Sequence, residues 1–108
     1  CIINFLDQEV AKQTGRGGGY SLSKKALRDA TLQAACDFAP KVRVNGIAPG
    51  PVLPPVGMED SKMVKTLPDV PLGRPVALED IVAAVEFLIR NESITGAVVP
   101  VDCGQSLK

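Results

Sequence analysis

The chain has 108 residues, with 45% hydrophobic and 22% charged side chains and a formal net charge of zero from 12 basic and 12 acidic residues. That is the size and composition of one small globular domain, with no electrostatic case for nucleic acid or an anionic membrane surface. Histidine is absent and the three cysteines, Cys1, Cys36 and Cys103, are widely spaced, which excludes His-based nucleophile systems and argues against a disulfide framework and the usual zinc sites.

Cys1 to Leu6 is a short apolar run that reads as a buried strand. Domains seldom begin inside a core strand, so the chain is expected to be the C-terminal portion of a longer domain. Asp7 to Gly19 is polar and ends in Gly15-Arg16-Gly17-Gly18-Gly19, a loop by composition. It lacks the GK[ST] ending of a P-loop and the glycine spacing of a dinucleotide fingerprint, so a flexible approach to the next helix is the better reading.

Tyr20 to about Phe38 is predicted as the longest helix, with Leu22, Ala26, Leu27, Ala30, Ala34 and Phe38 at helical spacing. Pro40 ends it. Tyr20 and Lys24 stand four apart on one helical face. A free tyrosine, with a pKa of roughly 10, is a poor proton donor near neutrality. A cation one turn away favours the phenolate and brings proton exchange closer to physiological pH. Such pairs also arise by chance, so the surroundings must carry the argument.

Val42 to Ala48 is β-branched and strand-like, and runs into Pro49-Gly50-Pro51, where regular structure must stop. Residues 51–74 carry Pro54, Pro55, Pro68 and Pro71 and read as a lid, with a short helix near Glu59 to Thr66. Leu78 to Arg90 is predicted as a second helix with Ile81, Val82, Val85, Leu88 and Ile89 on its apolar face. Its acids come first and Arg90 last, as the helix dipole prefers. Ala97 to Val101 is a third strand, at a sheet edge or strand end because Pro100 cannot donate. Continuous apolar strands alternating with helices predict a parallel α/β sheet. Ligands in such sheets bind beyond the carboxyl ends of the strands, where Asp7, Tyr20 and Pro49 to Val52 would gather.

Taken in order, Tyr20-x-x-x-Lys24, Val42-Arg43-Val44-Asn45-Gly46-Ile47-Ala48-Pro49-Gly50-Pro51, Pro71-Leu72-Gly73-Arg74-Pro75, Ala84-x-x-Phe87-Leu88, Ile94-Thr95-Gly96 and Val101-Asp102 resemble the second half of a short-chain dehydrogenase/reductase. The resemblance covers essentially the whole chain. It implies the C-terminal half of a doubly wound Rossmann fold, residues 1–108 being part of one NAD(P)-binding domain whose glycine-rich half lies upstream. It also implies that Tyr20 protonates the substrate as a nicotinamide delivers hydride. Lys24 would hold the nicotinamide ribose and lower the tyrosine's pKa. Pro49, Gly50, Pro51 and Val52 would pass the carboxamide.

Three departures narrow the choice. The family commonly places a serine about 13 residues before the tyrosine; here that position is Asp7, and Cys1 to Gly19 contains no serine. Aspartate there resembles the pteridine reductases, as do Leu53-Pro54-Pro55-Val56-Gly57-Met58 and Asp69-Val70-Pro71-Leu72-Gly73-Arg74. A ketone needs a neutral hydroxyl at its oxygen, whereas a pterin offers ring nitrogens that a carboxyl group can meet. Cys103 stands where glycine is usual after Val-Asp, and Val52 leaves only backbone groups to face a cofactor.

The expected activity is reduction of pterin or dihydropterin by NADPH, with Asp7, Tyr20 and Lys24 catalytic and Leu53, Pro54 and Met58 lining the substrate site. NAD stays open, because residues that read the ribose phosphate lie upstream. The alternatives are a generic ketone or acyl reductase, and a fragment inactive without its other half. A cytoplasmic protein forming dimers or tetramers is implied as well.

Overall fold

A computed structural model describes residues 1–11, 18–52 and 70–108. The proposed helix at Glu59 to Thr66, most of the 51–74 lid, and Leu53, Pro54 and Met58 lie outside those residues.

The first element, β1, is Ile2–Phe5, followed by a 3-10 turn at Gln8–Ala11. Helix α1 spans Gly18–Asp37, strand β2 Val44–Pro49, helix α2 Leu78–Arg90 and strand β3 Val98–Val101, and a 3-10 turn at Gln105–Leu107 closes the chain. Among the described residues the sheet has three strands in the order β1-β2-β3, all parallel. Ile2 pairs with Val44 and Phe5 with Ile47, while Gly46 pairs with Val98 and Pro49 with Val101. β3, with Pro100, is an edge, as the missing donor requires.

Central β2 is buried from Val44 to Ala48, as a parallel strand covered on both faces must be. On one face Leu6, Val10 and Ala48 form a core against Leu27 and Val98. Alternation turns Asn45 and Ile47 the other way, and both are fully buried. Asn45 is tolerated there because its amide donates to Ile94 O at 3.0 Å and accepts from Ala97 N–H at 3.0 Å. On β1, at the other edge, Ile2 and Phe5 remain exposed.

The buried face of α1 differs from the expected one. Ser21, Thr31 and Ala35 are buried, whereas Leu22, Ala26, Ala30 and Phe38 are exposed. Thr31 can replace an apolar residue because its hydroxyl donates to Leu27 O at 2.7 Å and accepts from the Asn4 amide at 2.9 Å. α2 buries Ile81 and Leu88 as expected, but Val82 and Ile89 stay half exposed. Arg43 fixes its C-terminal end by donating to Leu88 O, Ile89 O and Ile94 O at 2.8, 2.9 and 3.1 Å. No disulfide joins the three cysteines.

Candidate active site

The carboxyl end of β1 delivers Asp7, which immediately precedes the Gln8–Ala11 turn. Asp7 opens that turn by accepting from Glu9 N–H at 2.8 Å through Oδ1. Its other oxygen, Oδ2, accepts from the Tyr20 hydroxyl at 3.1 Å. Tyr20 reaches it from the first turn of α1, and 57% of the tyrosine is exposed, so the pair opens to solvent and to a ligand. Ser23 donates to Tyr20 O at 2.7 Å and steadies that first turn.

Lys24 lies beneath the ring, with Nζ 5.9 Å from its centroid. The ammonium donates to Phe5 O at 2.9 Å, at the end of β1. The Tyr20 shift runs opposite to the lowering expected from Lys24. The Tyr20 pKa is raised, first by loss of solvation, then by the hydrogen bond to Asp7 and the charges of Asp7 and Glu9. A carboxylate that accepts from the neutral phenol stabilises it, and a second acid nearby opposes phenolate formation.

The carboxyl end of β2 delivers the Pro49 to Val52 segment, which is half-buried. Gly50 N–H donates to Val101 O at 3.0 Å and Pro51 O accepts from Val76 N–H at 2.9 Å. Glycine is needed at Gly50, because a Cβ there would lie 2.8 Å from Asp102 Cα.

Asp102 itself has a structural role that residue-by-residue reading missed. It is 6% exposed, and its carboxylate accepts from Gly104 N–H at 2.9 Å and Ser106 N–H at 2.7 Å. Burial alone would raise its pKa, but the bonds from Ser106 and Gly104 outweigh burial and hold it below the usual value. The signal was present in Asp102-Cys103-Gly104-Gln105-Ser106, an aspartate followed by a glycine turn. Cys103 adopts a left-handed φ of 54°, in the place where the family resemblance implied glycine. Two further contributors, Glu9 and the Phe5 carbonyl, carried no motif.

The structure thus brings Asp7, Tyr20 and Lys24 together. Among the described residues no cluster of His, Cys, Asp or Glu could hold a metal, and no helix is long and apolar enough to cross a membrane.

A family profile described as Enoyl-(Acyl carrier protein) reductase matches residues 2–106. The short-chain dehydrogenase/reductase homolog YusR of Bacillus subtilis (strain 168) is 34% identical over 99% of this chain and 84% of its own length. L-xylulose reductase of Bos taurus is 34% identical over 95% of this chain and 45% of its own. Among solved structures, FolM alternative dihydrofolate reductase 1 from Brucella canis, complexed with NADP, superimposes with a TM-score of 0.94 at 37% identity. That match covers 99% of this chain and 43% of the other. The chain therefore spans less than half of the length of the last two proteins and most of the first. Parallel α/β topology, the match over residues 2–106 and the likeness to YusR make this chain a member of the short-chain dehydrogenase/reductase family.

Proposed function

We propose that the protein carrying this chain is an NADPH-dependent reductase of pterin or dihydropterin substrates. The observation that carries this reading is the Asp7–Tyr20 hydrogen bond of 3.1 Å at the carboxyl end of β1. A serine in place of Asp7 would present a neutral hydroxyl to a carbonyl oxygen; a carboxyl group can instead accept from a ring N–H or relay a proton to a ring nitrogen. The likeness to an alternative dihydrofolate reductase complexed with NADP supports both the substrate class and the cofactor.

The residues present fit a nicotinamide nucleotide. Lys24 supplies a donor beside the exposed Tyr20 ring. The half-buried Pro49 to Val52 segment is held at the sheet end by its own backbone bonds. Lys24, leaving Phe5 O, would reach the ribose hydroxyls, and the backbone from Pro49 to Val52 would meet the carboxamide. A bound nicotinamide would supply a hydride for the ring carbon of a C=N bond. Tyr20 gives its proton to the ring nitrogen, directly or with Asp7 as relay, so that one hydride and one proton complete the reduction. Loss of solvation, reinforced by Asp7 and Glu9, favours the neutral phenol. An acid that retains its proton until substrate arrives suits this direction of reaction. Leu53, Pro54 and Met58 would line the pterin pocket within the 51–74 lid. Dimer or tetramer assembly and a cytoplasmic setting belong to the same reading.

The test is NADPH oxidation by the intact protein with dihydropterins and with small ketones. Turnover of dihydropterins but not ketones is expected. Turnover of ketones alone would remove the pterin reading. The second reading, a carbonyl or acyl reductase on the same fold, is favoured by the family description and by the likeness to L-xylulose reductase.

A further inference from the structure

Asp102 touches neither Tyr20 nor Asp7, yet its surroundings tie it to the neighbouring edge of the site. Its carboxylate closes the C-terminal turn through Gly104 and Ser106 at 2.9 and 2.7 Å. The Asp102 backbone packs against Gly50 so closely that a single methyl group would collide, at 2.8 Å from Cα and 3.1 Å from O. On its other side the same turn abuts Pro71, since a Cβ on Gly104, with φ 85°, would lie 2.9 Å from Pro71 Cγ. Leu72 N–H donates to Cys103 O at 3.1 Å. One short turn therefore touches both the Pro49 to Val52 segment and Pro71 and Leu72.

We propose that Asp102 is the positioning residue of the Pro49 to Val52 segment: by capping the Gly104–Ser106 turn it holds its own backbone against Gly50 and so sets where that segment meets the cofactor. This rests on the reading that Pro49 to Val52 face a nicotinamide. With the cap intact, Gly50 has a rigid wall behind it and its N–H stays on Val101 O. Without the cap, the wall can retreat and the segment gains freedom that cofactor binding must then remove. The negative charge matters because the carboxylate accepts from Gly104 N–H through one oxygen and from Ser106 N–H through the other, and an ionised carboxylate serves both at once.

The experiment compares the intact protein with Asp102→Ala, which removes both bonds, and Asp102→Asn, which keeps one acceptor and the shape. Amide hydrogen exchange is read at Gly50 and at Leu6, whose N–H donates to Ile47 O across the β1–β2 pairing. NADPH affinity is measured alongside. The expected result is exchange at Gly50 faster by about tenfold in Asp102→Ala, less in Asp102→Asn, with Leu6 little changed. NADPH binding should weaken by a similar factor. Equal acceleration at Gly50 and Leu6 would mean general destabilisation and overturn the proposal, as would unchanged Gly50 exchange. Faster Gly50 exchange with undiminished NADPH affinity would also overturn it. If the unaltered protein fails to bind NADPH, the cofactor reading of Pro49 to Val52 fails and the proposal with it. Asp102→Asn keeps the test open should Asp102→Ala fail to fold.

Discussion

The Tyr20 hydroxyl donates to Asp7 Oδ2 at 3.1 Å, while the Lys24 ammonium, one helical turn on, donates to Phe5 O at 2.9 Å instead. Asp7, not Lys24, is the charged hydrogen-bond partner of the phenol. The Tyr20 shift is upward, first through loss of solvation and then because Asp7 and Glu9 oppose loss of the proton.

Asp7→Asn should therefore lower the Tyr20 pKa towards the ordinary tyrosine value. The hydrogen bond and the negative charge both raise it, and the substitution removes the charge. The unaltered Tyr20 should deprotonate above the ordinary value, and the variant at lower pH. Ring resonances of Tyr20 followed by NMR across alkaline pH would decide; an unchanged midpoint would show that desolvation alone sets the shift.

Lys24→Met should leave that midpoint almost unchanged, because Lys24 is not among the groups that shift the phenol. It should nevertheless raise the KM for NADPH by roughly tenfold, about 1.4 kcal/mol, if Lys24 moves to the ribose on binding. Steady-state kinetics with varied NADPH separates these effects.

Tyr20→Phe removes the proton donor while retaining the ring. A fall in kcat of about 10²-fold or more is expected, with NADPH affinity within a few-fold. Fluorescence titration with NADPH and turnover with dihydropterin measure the two quantities. Asp7→Ser should shift preference towards ketones, read as the ratio of kcat/KM values for the two substrate classes.

Cys103 sits at φ 54° with its carbonyl accepting from Leu72 N–H. A left-handed conformation costs a non-glycine residue about 1–2 kcal/mol. Cys103→Gly should therefore melt no lower than the parent, and Cys103→Val, β-branched, should lose about 1–3 kcal/mol. Thermal unfolding of the three proteins is the check.

Acid sensitivity should trace partly to Asp102. Its pKa is held below the ordinary carboxylate value by bonds from Ser106 and Gly104 that exceed the opposing effect of burial. A folded-state pKa below the unfolded one contributes stability that is present above the unfolded value and lost as pH falls through the folded value. Unfolding free energy should thus decline below about pH 4, less steeply in Asp102→Asn. Denaturant midpoints from pH 6 down to pH 3 would show it.

Much of this was legible in the chain because the signals were local. α2 was placed at Leu78–Arg90 from its flanking charges and apolar spacing, and those are its bounds in the structure. Strand bounds moved by one or two residues, since an apolar run does not say where pairing stops. The inward face of α1 differs from the expected one because the apolar spacing names only alanine, leucine and phenylalanine and passes over Thr31. Thr31 is buried through two hydrogen bonds, one to a residue 27 positions away, which no periodicity contains. At the site, the Asp7–Tyr20 pairing followed from family spacing. The hold of Phe5 O on Lys24 depends on a backbone carbonyl, and backbone atoms leave no trace in side-chain patterns.

The bond between Asn4 and Thr31 has a mechanical consequence. Asn4 stands three residues before Asp7, and Thr31 eleven after Tyr20. The two carriers of the proton-handling groups are thus bolted together at a second point, about 16 Å along the helix from Tyr20. Sliding α1 by one residue would advance it about 1.5 Å, turn it by about 100° and take Thr31 away from the part-buried Asn4 amide. Asn4–Thr31 acts as an indexing pin: it allows one alignment of helix on strand, and in that alignment the phenol meets the carboxylate.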